Sequence, residues 1–384
     1  MGITLSHVSA LDAMRDLRCK GVDIHAMDAT ILRPNSPWTG EHWTMRRFAP
    51  TEWRFAAPSR GRHLHVLAAR QGDGVRMANV DTHVARKLAK GSILYVDQNT
   101  SMVCPELLFV QMAQDFQIPH LVMLGYELCG NFSRSSANPL RGDVMSPVPA
   151  ATTVAGIAEY INNMPRTWGL ARAREALQFV SDNALSAPEA FLSTMYSFSG
   201  NEAGYGMGPV TLNERVQIVD DDEQDDDEAE NVVHNRYPDL LFPFARLGIN
   251  YEGEEGHLDI SGLVQAAQLP ILEEDQKKHN QAVLDLMEKR EAVRAKYVDD
   301  NARDRQLASR GHLVFRATKE DLTSSKTLDS FTRDILNAAR SLMGVDVQPY
   351  LTLLDDTDKA RDREDLFNLL QNGNGMSSTM YGLM

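Results

Sequence analysis

Carboxylates flank two apolar runs in the stretch RYPDLLFPFARLGINYEGEEGH, residues 236–257. Asp239 stands at the start of the first run, and Glu252 stands at the end of the second run. Carboxylates held close together can bind a divalent metal, which lowers the pKa of a bound water and screens the charge of a phosphodiester. The pattern therefore points to a metal-dependent nuclease site. A hairpin with polar ends would give the same pattern, so both interpretations stay open here.

The spacing of apolar residues predicts the elements that would position these acids. Residues 186–198 predict a helix with Ser186 as its N-cap and Glu189 in its first turn. Further along the chain, strands are predicted at 239–244, 247–252 and 312–318, and charged helices at about 273–298 and 301–310. A hairpin implies antiparallel pairing, whereas a strand–helix–strand crossover implies parallel pairing. We therefore expect an α/β fold, mixed α+β, with one core over residues 151–345.

The first 150 residues predict a smaller α+β domain. Its predicted helices cover residues 5–19 and 104–116, and its predicted strands cover 63–70 and 91–97. Residues 131–150, rich in Asn, Ser, Pro and Gly, are predicted to form a linker, and residues 346–384 a C-terminal tail. His7, in the first helix, is expected to be a packed or capping histidine rather than a ligand.

Charge is sorted along the chain. Residues 220–230 contain nine acids and no base, and removing them would change the net charge from −14 to −5. We expect residues 219–232 to be a disordered, solvated loop, although such a run could also screen a site by mimicking DNA. Residues 45–90 contain ten Arg or Lys against three acids, a local net charge of +7. This basic stretch can neutralise DNA phosphates, face another protein, or serve only as a soluble surface.

The cysteines and the hydropathy pattern indicate a cytoplasmic protein without a membrane partner. The three cysteines, Cys19, Cys104 and Cys129, are far apart and odd in number, which favours neither a disulfide framework nor a metal site. The chain contains no apolar run long enough to span a membrane, and its first residues do not resemble a signal peptide.

Several motifs occur in an order that resembles a known family. The stretches SAPEAF, RYPDLLFPFARLGINYEGEEGH and DNARDRQLASRGHLVFRAT resemble the very-short-patch-repair-like endonuclease domain of the PD-(D/E)XK superfamily. LSHVSAL is similar to the Ser-His-x-Ser-Ala-Leu motif of AbiE-type antitoxins, and CPELLFVQMA is similar to a second segment of bacterial proteins of this type. The resemblance covers roughly residues 3–345. It implies a restriction-endonuclease-like core behind an antitoxin-like N-terminal domain, with residues 264–298 as an insertion.

The resemblance assigns roles to individual residues. Glu189 falls at the helix Glu of the family, Asp239 at the strand Asp, His257 at the His after the second strand, and Asp300 and Arg303 at an Asp-x-x-Arg pair. Two positions depart from the pattern, because Asn250 stands where the family has Glu and Glu252 stands where it has Asp. The resemblance thus implies catalytic residues Glu189, Asp239, Glu252 and His257, and a Mg²⁺ ion bound by Asp239, Glu252 and Asn250.

Two classes of function follow. The first is a metal-dependent DNA endonuclease, active or weakened, in defence or repair. The second is a non-catalytic binding protein with a nuclease-like core, such as an antitoxin-like regulator that contacts DNA, a toxin or a second copy of itself. Asn250 favours the second class, while Glu189, Asp239 and His257 favour the first.

Overall fold

The computed structural model divides the chain into two compact units. The first contains Met1–Leu212 together with Arg361–Met384, and the second contains Asn213–Ala360. The structure describes residues 3–27, 62–69, 74, 78–85, 88–97, 100–134, 144–165, 168–219, 233–242, 244–252 and 276–372. Each unit contains both helices and strands, which confirms the predicted mixed α and β class.

A five-stranded mixed sheet organises the first unit. Its strands are β1 (Ile3–Leu5), β2 (Leu64–Ala68), β3 (Val80–Val84), β4 (Ile93–Tyr95) and β5 (Thr100–Val103). They lie in the order β3-β2-β1-β5-β4. Strand β1 pairs parallel with β5 and antiparallel with β2, and β2 pairs parallel with β3. Strand β3 is therefore at one edge of this sheet.

Helices and a short ribbon complete the first unit. The helices are α1 (His7–Cys19), α2 (Pro105–Met112), α3 (Ile118–Cys129), α4 (Val154–Asn163), α5 (Leu170–Leu177) and α6 (Ala187–Ser197), and the ribbon is β6 (Ser133–Arg134) with β7 (Val144–Met145). Helix α2 begins after Cys104, whose Sγ accepts the Leu107 N–H. Helix α6 begins after Ser186, whose Oγ accepts the Glu189 N–H at 3.3 Å. Both starts confirm the predicted helices.

The first unit extends beyond residue 150, where the sequence placed a domain boundary. The buried Arg18 side chain donates hydrogen bonds to the carbonyl oxygens of Gly130 and Pro149, each at 2.9 Å. These bonds tie the two ends of the predicted 131–150 linker to α1. Helices α4, α5 and α6 pack against α2 and α3. They therefore belong to the first compact unit, and the boundary between the two units falls after Leu212. The family-based assignment of residues 151–345 to one core stays a prediction.

Three strands of the second unit lie side by side. They are β11 (Leu240–Phe242), β12 (Leu247–Glu252) and β13 (Leu313–Thr318). Strands β11 and β12 pair antiparallel, with Leu240 opposite Ile249, and β12 and β13 pair parallel, with Asn250 opposite Arg316. This combination confirms the predicted hairpin and the predicted crossover. The short strands β8 (Thr211–Leu212), β9 (Val216–Val219) and β10 (Val233–Arg236) precede them, and β9 pairs antiparallel with β10.

One long helix, α7 (Gln276–Ser309), forms the crossover between β12 and β13. The sequence predicted two helices here, but neither Gly nor Pro occurs between Gln276 and Ser309, so nothing local ends the helix. Helix α8 (Ser325–Met343) begins at a capping box on Ser324 and ends at Gly344, which has a left-handed backbone. Two further helices, α9 (Gln348–Asp355) and α10 (Thr357–Asn372), occupy the segment that the sequence assigned to a tail. Leu366, Phe367 and Leu370 are buried on α10 at helical spacing.

Some predictions lie outside the described residues. They are the predicted disorder of residues 220–232, the predicted role of His257, residues 264–275 of the predicted insertion, residues 373–384 of the predicted tail, and eight of the ten basic residues of the stretch 45–90, namely Arg46, Arg47, Arg54, Arg60, Arg70, Arg76, Arg86 and Lys87. Among the described residues, no helix is long and apolar enough to cross a membrane.

Candidate functional site

Asp239 and Asn250 form a reciprocal pair at the end of the β11–β12 hairpin. The register places them opposite each other, since Leu240 lies opposite Ile249. The backbone N–H of Asp239 donates to Asn250 Oδ1 at 3.1 Å, and the backbone N–H of Tyr251 donates to Asp239 Oδ2 at 2.6 Å. Each side chain therefore holds the backbone of the opposite strand. The hairpin thus brings together two of the predicted ligands and also gives both a structural role.

The amide of Asn250 is buried and only half satisfied. The residue is 2% exposed, and its Nδ2 has no hydrogen-bond partner among the described residues. The amide orientation follows from its contact, because only the oxygen can accept the Asp239 N–H. Leaving a buried donor unpaired costs about 1–3 kcal/mol. Among the described residues, this N–H₂ is therefore a buried donor at the hairpin end that could still bind an acceptor.

Glu252 is part of an ion-pair network centred on Arg316. Arg316 lies opposite Asn250, and Glu252 is two residues further along β12, so their side chains share one face of the sheet. Arg316 Nη1 donates to Glu252 Oε1 at 2.8 Å. The same guanidinium donates to Asp304 Oδ2 through Nη2 at 2.6 Å and through Nε at 3.0 Å. A cation from the neighbouring strand thus binds the carboxylate that the sequence predicted as a metal ligand.

Asp300 and Arg303 continue the network on α7. Asp300 is buried, and its Oδ1 lies 3.3 Å from Arg303 Nη2. Arg303 Nε lies 3.8 Å from Asp304 Oδ1, which links this pair to Arg316. The five linked side chains include three carboxylates and two guanidinium groups. Most of the acidic charge on this face is therefore balanced within the protein.

Glu189 belongs to the first unit and caps its own helix. It is 5% exposed, its Oε2 accepts the Leu185 N–H at 2.9 Å, and its Oε1 accepts the Ser186 hydroxyl at 2.7 Å. A carboxylate in the first turn of a helix is stabilised there by the helix dipole. These contacts give the buried Glu189 side chain a structural role that does not require catalysis.

The described residues do not fit the Mg²⁺ site that the resemblance implies. Mg²⁺ prefers hard, anionic oxygen ligands. Asn250 offers a neutral oxygen that already accepts a backbone N–H, and Glu252 is paired with Arg316. Within the described ranges, no three His, Cys, Asp or Glu side chains are grouped so that they could hold a metal ion. Mg²⁺ binding stays a prediction, because residues 253–275, which follow Glu252, lie outside these ranges.

A histidine cluster in the first unit was not identified as a site from the sequence. The His65 Nδ1 and His83 Nε2 atoms are 2.9 Å apart, and the rings of His7 and His83 stack with centroids 3.6 Å apart. His63 Nδ1 lies 2.8 Å from Asp81 Oδ2. The available signal was the alternation in His-Leu-His and Asp-Thr-His, which places the polar side chains of β2 and β3 on one face.

Burial favours the neutral form of His7 and His83 in this cluster, because it lowers the pKa of each. Burial lowers the pKa of His7 well below its usual value, and the neighbouring His83 and His65 lower it further. Burial and then His65 lower the pKa of His83 to about 4, against the opposing effect of Asp81. His7 also has a left-handed backbone with φ of 50°, and its Nδ1 has no partner among the described residues. His7 is therefore packed, as predicted, in an environment that disfavours its protonation.

Comparison with known proteins identifies no relative. No family model, no curated protein and no solved structure matches this chain.

Proposed function

We propose that this chain is a DNA-binding protein built on an endonuclease-type core whose metal-dependent cleavage has been lost. The observation that favours loss is the binding of Glu252 by Arg316, next to an amide at position 250. A divalent cation at this hairpin would meet a neutral oxygen and a carboxylate already paired with a positive charge. The net negative charge offered to a cation there is therefore smaller than that of the three acids in the family pattern, and Mg²⁺ prefers anionic oxygen ligands.

The order and pairing of the elements support the endonuclease-type core. The chain runs from the helix of Glu189 through the β11–β12 hairpin, then through α7 to β13. Strands β11 and β12 are antiparallel, and β12 and β13 are parallel. The resemblance implies the same order, and it places Asp239, Asn250 and Glu252 at the hairpin end where the acids of an active nuclease would lie.

The sequence supports DNA as the partner. The basic stretch 45–90, with a local net charge of +7, can neutralise phosphates although the whole chain is acidic. Binding through phosphate contacts releases counterions, so the affinity should fall steeply as the salt concentration rises.

The first test measures cleavage and binding separately. We expect the wild type to bind duplex DNA at low salt in a fluorescence-anisotropy titration, and to leave the same duplex intact in Mg²⁺ or Mn²⁺. Cleavage that Asp239→Ala abolishes would show that the protein is an active endonuclease. Absence of DNA binding at low salt would remove DNA as the partner and leave the protein-binding alternative, a toxin or a second copy.

The second test asks whether the lost charge explains the lost chemistry. Asn250→Asp is nearly isosteric: it keeps the oxygen that accepts the Asp239 N–H and replaces the unpaired N–H₂ with an anionic oxygen. Combined with Arg316→Gln, which frees Glu252, it should create Mn²⁺ binding that calorimetry detects and the wild type lacks. Asn250→Asp with Arg333→Gln is the matched control, because Arg333 pairs with Asp355 at an exposed position in the same unit. If both double variants bind Mn²⁺ equally well, the pairing of Glu252 with Arg316 is not what prevents metal binding in the wild type.

A further inference from the structure

The first two thirds of α7 present large apolar side chains to solvent. Leu284, Met287 and Val298 are 54%, 59% and 58% exposed, and Tyr297 is 62% exposed. Among the side chains of α7 that the structure describes, the buried ones lie near its end, at Asp300 and Leu307. An apolar stripe along a helix normally lies against another surface.

The exposed apolar residues fall into a heptad pattern. Leu284, Met287, Glu291, Arg294 and Val298 are separated by three, four, three and four residues, the spacing of positions a, d, a, d and a. At about 100° per residue, all five lie within an arc of roughly 80° on one side of the helix. Glu291 and Arg294 are also exposed, and neither forms an ion pair with another described residue. The stripe thus has the spacing of a coiled-coil seam, with one acidic and one basic position at its middle.

The two charges select a partner and an orientation. In an antiparallel pair of identical helices, an a position meets a d position of the other helix. A two-fold axis between Glu291 and Arg294 places each Glu291 against the Arg294 of the second copy, and each Met287 against the Val298 of the second copy. A parallel pair of helices would place Glu291 of one copy against Glu291 of the other. An antiparallel pair shifted by three residues, in which Leu284 lies opposite Val298, would also place Glu291 against Glu291. Like charges directly opposite each other oppose such pairing.

We propose that the Leu284–Val298 segment of α7 binds the same segment of a second copy of this chain as an antiparallel two-helix coiled coil. The interface is self-complementary, as a two-fold dimer requires. In this register Leu284 lies opposite Asn301 at each end of the seam, and Tyr297 flanks the seam. Charged residues inside a seam determine its register but add little to its stability. We therefore expect a weak dimer that forms only at high protein concentration.

The test uses the full-length chain and changes the sign of one charge at a time. Light scattering after size exclusion should give a mass near twice 42.8 kDa for the wild type at high concentration. Glu291→Arg places Arg against Arg across the axis, and Arg294→Glu places Glu against Glu, so each variant alone should be monomeric. Arg340→Glu, which makes the same charge change at an exposed position on α8, is the matched control and should remain dimeric.

Mixing the two single variants provides the decisive measurement. Glu291→Arg has two basic positions in its seam and Arg294→Glu has two acidic positions, so an equimolar mixture should form a heterodimer that contains one copy of each. Misfolding of either variant cannot produce this recovery. A wild type that is monomeric at every concentration would overturn the proposal, and so would a dimer that both variants retain or a mixture that stays monomeric.

Discussion

The stability of the first unit should fall as the histidine cluster is acidified. The His83 ring stacks on that of His7 on α1, and its Nε2 lies 2.9 Å from His65 Nδ1 on β2. The charged groups around these rings are Asp81, which pairs with His63, and Asp12 on α1, which pairs with Arg62. Burial and His65 lower the pKa of His83 from 6.5 to about 4. The unfolded chain therefore binds this proton more readily than the folded chain. The contribution of the neutral His83 to the stability of the folded state is complete above about pH 6.5 and is lost as the pH falls towards 4.

The size of the effect follows from the two pKa values. At about pH 5 the unfolded imidazole is almost fully protonated while the folded one is mostly neutral, which gives a loss of about 2 kcal/mol relative to about pH 7.5. For a unit of this size, 1 kcal/mol corresponds to about 2–4 °C in Tm. His83 alone should therefore lower the Tm by about 4–8 °C. His7 and His65 act in the same direction, since burial lowers the pKa of both.

The measurement compares the pH dependence of the unfolding free energy of two variants with that of the wild type. His83→Gln removes the titrating ring but keeps a polar group that can bond to His65. It should reduce the difference in unfolding free energy between about pH 7.5 and about pH 5 by about 2 kcal/mol. His25→Gln, at an exposed position in the same unit, should leave that difference unchanged. His120, also buried with a pKa of about 4, contributes equally to all three proteins and cancels.

Two outcomes would refute this reasoning. The first is a wild-type stability that is the same at both pH values. The second is a His83→Gln variant that loses as much stability on acidification as the wild type, since the loss would then come from other groups.

Two further predictions concern packing in the first unit. Arg15→Ala should destabilise it by about 3–5 kcal/mol in chemical denaturation, because it leaves the buried carboxylate of Glu127 without the guanidinium 2.7 Å away, whereas Arg333→Ala at an exposed ion pair should cost less than about 1 kcal/mol. Burial alone would raise the pKa of Glu127, but Arg15 and Arg134 together outweigh burial and lower the pKa to about 2, so the contribution of Glu127 to stability is lost as the pH falls from about 4.5 through about 2. Gly204→Ala should lower the Tm by several degrees, because a Cβ there would lie 2.2 Å from the carbonyl oxygen of Phe198.

The elements that depend on local sequence were predictable. Helix α6 begins at Ser186 because the Ser-x-x-Glu spacing satisfies backbone N–H groups at the helix start, and this signal is complete within four residues. The hairpin around residues 240–252 followed from two apolar runs separated by a short turn. Even the parallel pairing of β12 with β13 could be inferred, because two strands joined by a helix usually pair in parallel.

The division of the chain and the partners of the site residues were not predictable in the same way. Arg18 bonds to Pro149 across 131 positions, and no local pattern reports that contact. The sequence 131–150 has the composition of a linker, but buried guanidinium bonds hold its ends against α1. The histidine cluster was missed for the same reason, because its three rings come from α1, β2 and β3 and meet only when the sheet forms.

The acids at the hairpin end show why residue type and position do not determine a role. Glu252 stands where a ligand was expected, but its charge is bound by Arg316, 64 positions later, and Arg316 is shared with Asp304 on α7. Asp239 retains a carboxylate that bonds to the opposite strand, which a metal ligand and a hairpin clamp can both do. The amide of Asn250 is the other half of this contact: its Oδ1 accepts the Asp239 N–H, and its Nδ2 has no partner among the described residues. An Asp at this buried position would keep the accepting oxygen but place a second carboxylate beside that of Asp239, so the amide allows the hairpin contact without adding a charge.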